Sequence, residues 1–277
     1  MLTIRPYAET DEIFLCQMTR DAHEDFRNCR RKTLLLALWD GVPAGYLDAR
    51  IAPNNCQIRV FVAAAFRRRG IGSALVREAE RTCRAAGESV WWGYYYDRAA
   101  AGAFAETLRP DYTSSTAYMT YGGELLPENC LRTIRPYMPD DFLSCYWIWC
   151  NGHAELNRRL GFPAHLCQVH EPTEDIRREY DEDLIGGSFV TEAAGRVVGF
   201  GHIDDECLGS LAVDAAFRGQ GFGSALAVHL TNEILRRGFP EAALYCEVGN
   251  DDARHIYEKI GYREQEVSHT VFRTVAG

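Results

Sequence analysis

The sequence predicts two tandem copies of one mixed α/β domain. The chain has 277 residues, more than one hydrophobic core usually serves, since single domains mostly stop at roughly 100–200 residues. Two stretches recur in the same order: Thr3-Ile4-Arg5-Pro6-Tyr7 returns as Thr133-Ile134-Arg135-Pro136-Tyr137, and Val62 through Leu75 returns as Val213 through Leu226. Each copy then alternates β-branched or aromatic runs with helical periodicity. A repeat of this size is a whole domain rather than a solenoid unit of roughly 20–50 residues.

Each copy opens with a short strand, Thr3–Pro6 or Thr133–Pro136, followed by a helical, acidic segment. β-Branched and aromatic runs around turn residues predict strand pairs next: Leu34–Trp39 with Ala44–Ile51, and Ser188–Glu192 with Val197–Ile203. Ile58–Val62 and Leu208–Val213 are the following strands. Ser73–Ala86 and Ser224–Arg237 carry apolar residues at helical spacing and stop at Gly87 and Gly238, a normal helix end. A further strand follows at Val90–Tyr95 or Ala243–Val248, and in the second copy a last helix spans Asp251–Lys259, capped by Asn250 and closed by Gly261. The offset between the copies grows from 130 to 151 residues, so the second copy gained length within residues 140–190. The boundary falls near Pro127-Glu128-Asn129-Cys130, giving domains 1–127 and 131–277.

With 47% hydrophobic residues and 25% charged, the chain has the apolar surface to build such cores, which excludes a disordered or collagen-like chain. No run approaches the roughly 18 apolar residues of a membrane helix, and Met1–Pro6 does not open a signal peptide. The net charge of −9 argues against nucleic acid as a partner. That excess is confined to the second half: residues 1–130 carry 16 basic and 16 acidic side chains, the remainder 14 and 23. Ten cysteines without a Cys-x-x-Cys pair fit a reducing compartment, so the expected location is the cytoplasm.

The chemistry centres on Arg-x-x-Gly-x-Gly between a strand and a helix, present as Arg67-Arg68-Arg69-Gly70-Ile71-Gly72 and as Arg218-Gly219-Gln220-Gly221-Phe222-Gly223. Glycines let a backbone approach an anion, and a helix N-terminus offers unpaired N–H groups, so a pyrophosphate fits. A Walker loop is excluded by the missing Gly-Lys-Ser/Thr, and a dinucleotide fingerprint fails because Leu75 and Leu226 stand where a third glycine belongs. An acyl-coenzyme A loop and a ligand-free turn are left.

With the later segment Asn250-Asp251-Asp252-Ala253 and Tyr257-Glu258-Lys259-Ile260-Gly261-Tyr262, the second copy resembles the GCN5-related N-acetyltransferases. That resemblance implies acetyl-coenzyme A as acyl donor and direct attack by a primary amine of a small molecule or peptide. It implies that Leu211, Ala212 and Val213 offer backbone groups to the pantetheine and thioester. Arg218, Gly219, Gln220, Gly221, Phe222, Gly223 and Ser224 would hold the pyrophosphate, and Asn250 and Ala253 would flank the coenzyme. Tyr257 is the implied general acid, a phenol titrating near pH 10. For the base the resemblance points to a carboxylate starting the central strand; Glu206 is the first candidate, although Cys207 fills the usual position, and Glu247 is the second. In the first copy Val62, Arg67, Arg68, Arg69, Gly70, Ile71 and Gly72 match more weakly, and the segment from Tyr96 through Asp97, Arg98, Ala99 and Ala100 to Glu106 lacks the Asn and Tyr, with Phe104 in the tyrosine's place. The first copy is therefore expected to be degenerate, a plan similar to other tandem members.

Trp147, Trp149, His153, His165, His170 and Asp181-Glu182-Asp183 lie in the added segment, where an ammonium-bearing acceptor would find aromatics and carboxylates. Cys150 with His153 and Cys167 with His170 form two Cys-x-x-His pairs that also suit zinc, but no metal is expected. A coenzyme-A-binding sensor or scaffold without turnover is the alternative function, and the chain is expected to be a monomer or a homodimer.

Overall fold

A computed structural model describes residues 1–21, 33–52, 56–96 and 101–274. The chain packs into two compact units, one formed by Met1–Ser114 with His269–Gly277 and the other by Ser115–Ser268. The first unit runs β1 (Leu2–Pro6), α1 (Glu12–Asp21), β2 (Leu34–Trp39), β3 (Val42–Arg50), β4 (Cys56–Val62), α2 (Ile71–Ala85), β5 (Val90–Tyr96) and α3 (Ala101–Thr107). β6 (Tyr112–Tyr121) leads out of it. The second continues with β7 (Thr133–Pro136), α4 (Phe142–Leu160), α5 (Glu174–Leu184), β8 (Ser188–Ala193), β9 (Arg196–Asp204), β10 (Cys207–Val213), α6 (Phe222–Arg236), β11 (Ala242–Glu247), α7 (Asp251–Ile260) and β12 (Arg263–Thr274).

The predicted order of elements recurs in both repeats, with a further strand closing each, β6 or β12, and with α5 following α4 between β7 and β8. Strand order in the first unit is β1-β2-β3-β4-β5-β12, and in the second β7-β8-β9-β10-β11-β6-β12. β6 pairs antiparallel with β11 from Ala242↔Tyr121 to Glu247↔Thr116, and Asp111 N–H donates to the Phe272 carbonyl at 2.9 Å. Each repeat's closing strand thus pairs where the other repeat's own would belong. The compact units change at Ser114 and Ser115, whereas the sequence suggests a boundary between the repeats near Pro127–Cys130.

The repeated Thr-Ile-Arg-Pro-Tyr motif has a structural reason. Arg5 grips the carboxylate of Asp11 through two hydrogen bonds of 2.6 and 2.8 Å, and Asp11 accepts the Ala8 N–H at 2.9 Å. Arg135, Asp141 and Met138 repeat this at 2.7, 2.9 and 2.9 Å. The strand arginine and the acidic residue six positions on thereby fix the entry into the following helix, which satisfies one of its orphan amides.

In the first unit α2 buries Ile71, Leu75, Ala79 and Cys83 against β3, β4 and Trp91 of β5. In the second, α6 and α7 cover one sheet face with Ala227, Leu230, Ile234 and Tyr257 over Leu208, Leu244 and Cys246. α4 and α5 cover the other around Phe142, Tyr146, Leu184 and Phe200. Gly201 on β9 admits this packing, because a Cβ there would stand 2.4 Å from a methyl of Leu230. α4, the counterpart of α1, and α5 fill the lengthened stretch between β7 and β8. No helix among the described residues is long and apolar enough to cross a membrane.

Candidate active site

β10 and β11 are parallel neighbours that pair only at Cys207↔Ala243 and Leu208↔Leu244. At Gly209 the register of β10 against β9 slips by one residue, and such a bulge bends and twists the strand that carries it. Beyond this fork Ser210–Val213 leave β11, so their backbone edge is free to pair with an extended ligand. The first unit repeats the fork, with β4 and β5 paired only at Cys56↔Trp91 and Gln57↔Trp92.

At its open end β10 leads into a 3-10 turn, Ala215–Phe217, which Asp214 caps by accepting from the Ala216 N–H at 2.9 Å. Arg218 folds back, its Nε donating to the Val213 carbonyl at 3.2 Å and its guanidinium pairing with Glu155 of α4 at 2.8 Å. Gly219 and Gly221 then take left-handed backbones with φ of 72° and 84°, which suit glycine and strain other residues. Among the described residues nothing accepts from the amides of Gly219 through Ser224. Six free N–H groups at the start of a 15-residue helix form a seat for an anion, and the donor set fits a pyrophosphate. A Cβ on Gly223 would meet Ile256 of α7 at 3.4 Å, Val213 at 3.6 Å and Leu211 at 3.9 Å. Loop, strand and last helix therefore converge at Gly223.

Tyr257 follows Ile256 on α7 and packs into the core with Leu208, Leu244 and Cys246. It is 7% exposed, edge-on to Tyr262 at 5.8 Å between centroids, and among the described residues no hydrogen bond holds its hydroxyl. Burial pushes the phenol above its ordinary value, so it is protonated at neutral pH. Ala253 packs against the same core. Asn250 occupies the N-cap position of α7, yet its side chain caps no amide there; its Oδ1 accepts from Arg159 at 3.1 Å instead.

The two candidate bases differ in surroundings. Glu206 is exposed in the two-residue turn between β9 and β10, on the closed side of the fork, where its carbonyl accepts from Ala243 N–H at 2.8 Å. Glu247 lies three residues past the fork on β11, half-buried, and accepts from the Thr116 hydroxyl at 3.2 Å. Burial raises its carboxyl above the ordinary value, which suits a base working near neutral pH. Side chains alternate along a strand. Cys246 lies under the helices with Tyr257, so Glu247 faces the opposite side, beside Tyr245 and its ring partner Tyr118 at 5.1 Å.

The first unit carries the same loop with different neighbours. Arg67 Nε donates to the Val62 carbonyl at 3.0 Å, Arg68 and Gly70 have positive φ, and Ile71 is buried at the start of α2. Arg69 lies over Trp39 at 5.3 Å and over Phe66 at 5.7 Å. The Phe104 ring comes within 3.0 Å of a Cβ built on Gly72. It thus matches Ile256 rather than Tyr257, and buried Ala105 stands in the tyrosine's place. Asp97, Arg98, Ala99 and Ala100 lie outside the described residues.

Trp147, Trp149 and Cys150 pack on the core under α4, and Trp149 contacts the His153 ring at 4.5 Å. A cleft of about 280 Å³ beside α4 has Trp147, Asn151, Glu155, Asp214 and Arg218 on its walls. Cys167 donates to the carbonyls of Phe162 and Pro163, and the His170 carbonyl accepts from Tyr146. Among the described residues no three His, Cys, Asp or Glu side chains gather to hold a metal, and the Cys-x-x-His pairs are not brought together. The side chains of His165, Asp181 and Asp183 lie outside the described residues.

The sequence model of the acetyltransferase (GNAT) family matches residues 5–108 and 153–262, one copy in each repeat. The chain belongs to the GNAT family. It is a tandem GNAT acyltransferase, and acetyl-coenzyme A is its acyl donor. Its sequence is 30% identical to the mycothiol acetyltransferase of Acidothermus cellulolyticus over 86% of this chain and 78% of that protein. The corresponding figures for the mycothiol acetyltransferase of Amycolatopsis mediterranei are 27%, 84% and 81%. Among solved structures, a GCN5-related N-acetyltransferase from Sphaerobacter thermophilus superposes with a TM-score of 0.69 at 15% identity, covering 100% of this chain and 96% of that one. A tandem GNAT protein from the clavulanic acid biosynthesis pathway superposes with a TM-score of 0.58 at 13% identity, covering 100% and 99%. These likenesses fit the GNAT fold in both repeats.

Proposed function

We propose that this GNAT protein transfers acetyl from acetyl-coenzyme A to the primary amine of a small molecule, and that the second repeat performs the reaction. The observation that carries this reading is the fork between β10 and β11, which has free loop amides at its mouth and Tyr257 and Glu247 on opposite faces. Acetyl-coenzyme A supplies the activated acyl carbon as a thioester. The ammonium first loses a proton to Glu247, which passes it to solvent; the freed amine then attacks the acyl carbon from that face, and the proton shed as the C–N bond forms leaves by the same carboxylate to solvent. Tyr257, on the other face, gives its proton to the departing sulfur as the C–S bond breaks, and is reprotonated from solvent. Phenol and thiol share an apolar site that disfavours both anions, so the transfer does not run far uphill. The backbone of Ser210–Val213 orients the thioester.

Glu247 is preferred to Glu206 as base because it is half-buried and lies on the open side of the fork. The likeness to mycothiol acetyltransferases puts a small-molecule acceptor ahead of a peptide, and the acidic second half suits an amine held as a cation before it reacts. The first repeat lacks the phenol because Ala105 stands in its place, and its role is to support the second.

A calorimetric titration of the whole chain with acetyl-coenzyme A tests this. The expected result is one site per chain, weakened by Gly221→Val and indifferent to Gly70→Val. Two equal sites would overturn the assignment of a single working half.

A further inference from the structure

The segment joining the repeats is strapped along α6 and ends on the glycine loop. Asn232 of α6 is 0% exposed and holds Leu126 by both backbone groups, accepting from its N–H at 2.7 Å and donating to its carbonyl at 2.8 Å. Glu128 accepts from Arg236 at 2.6 Å, His229 at 3.1 Å and Asn232 at 3.2 Å. Four residues on, the Arg132 guanidinium lies 4.0 Å above the ring of Phe222, the first residue of α6, and donates to the Gln220 carbonyl at 2.5 Å.

That last bond acts on the anion seat. In a planar trans peptide the carbonyl and the following N–H point opposite ways. A cation that holds the Gln220 carbonyl therefore also fixes the direction of the Gly221 N–H, which points away from the guanidinium. Gly219 and Gly221 flank this peptide, and both are free to adopt many backbones, so an untethered loop would have to be ordered by its ligand at an entropic cost. The first repeat provides an internal comparison. Counting from Thr3 and Thr133, the counterpart of Arg132 is Leu2, which packs into the core, and the counterpart of Gln220 is Arg69, engaged with Trp39 and Phe66. Among the described residues the first loop has no such clamp.

We propose that Arg132 is a positioning residue for the coenzyme: anchored by the strap from Leu126 to Glu128, it pre-orders the Gln220–Gly221 peptide to receive the pyrophosphate. This rests on the reading of Arg218–Gly223 as the pyrophosphate seat.

Calorimetric titration of the full chain with acetyl-coenzyme A, and with S-acetylpantetheine, which lacks the pyrophosphate, tests the proposal. Arg132→Met keeps an apolar stem over Phe222 and is expected to weaken acetyl-coenzyme A about tenfold, with S-acetylpantetheine binding and the thermal midpoint unchanged. That factor is roughly what one charged hydrogen bond supplies. Arg132→Lys, whose ammonium can donate to the same carbonyl, restores most of the affinity. Because Arg132 acts on the loop and not on the phosphates, the salt dependence of binding is expected to be the same in Arg132→Met and the parent; a flatter dependence would mean direct phosphate contact and overturn the proposal. Equal weakening of both ligands would also overturn it, as would unchanged acetyl-coenzyme A affinity in Arg132→Met while Gly221→Val binds poorly. If Gly221→Val binds as well as the parent, the seat itself is misassigned and the proposal falls with it.

Discussion

Tyr257 and Glu247 lie ten residues apart in the chain; what relates them is the fork, with one on each face of the sheet. Tyr257→Phe removes only a hydroxyl from a tightly packed ring, so folding and acetyl-coenzyme A affinity are expected to persist. The rate should fall by about 10²–10⁴, the usual worth of a general acid, as read by steady-state turnover beside a calorimetric titration. For Glu247, burial raises the carboxyl, so the active carboxylate is lost as pH falls through that elevated value and the rate falls with it. Glu247→Gln should abolish this acidic limb of the pH–rate profile together with most of the activity. Glu206→Gln, in an exposed turn, should leave the limb in place, and its loss in that variant would return the role to Glu206.

Elements here are set by short polar contacts as much as by periodicity. The entry to α4 depends on Asp141, a buried carboxylate held by Arg135 and by the Met138 N–H. Burial alone would raise its carboxyl, but these hydrogen bonds overcome it and leave the group below its ordinary value of 3.8. A depressed carboxyl stabilises the fold above its unfolded value, so this contribution is full above about pH 5 and is lost as pH falls through 3.8 and below. Asp141→Asn should lower stability near neutral pH by about 1–3 kcal/mol and narrow the gap to the parent in acid, as urea unfolding at two pH values would measure. The sequence shows these residues as a repeat but not as a contact, since a strand arginine and an acid six residues later can meet only once the chain has turned between them.

At the scale of the molecule, the repeats and the packing units are different partitions of one chain. β6 belongs to the first repeat by sequence and lies beside β11 in the second unit. A fragment of residues 131–277 would therefore leave the β11 edge without that partner, and such an edge invites aggregation. The expected outcome in size-exclusion chromatography is aggregated material for residues 131–277 and better-behaved material once residues 112–130 are restored. Equal behaviour of the two fragments would show that β6 is dispensable to the second unit.

The sequence by itself determined the GNAT family and the tandem plan, and singled out the glycine loops and Tyr257 as candidates, because these rest on local patterns: strand and helix periods, glycines at a turn and fixed intervals along one helix. β6, a ten-residue run of Tyr, Thr, Ser, Ala and Met from Tyr112 to Tyr121, went unpredicted, and so did its partner, since strand pairing is chosen by edges far apart in the chain. Only the tertiary structure shows Glu247 half-buried and Glu206 exposed, because burial is a property of what packs around a carboxylate. It also moved Phe104 from the tyrosine's place to that of Ile256, a shift of one helical position that spacing cannot resolve. The same holds for Arg132: a lone arginine in a linker acquires its meaning when the strap along α6 carries it to the carbonyl of Gln220.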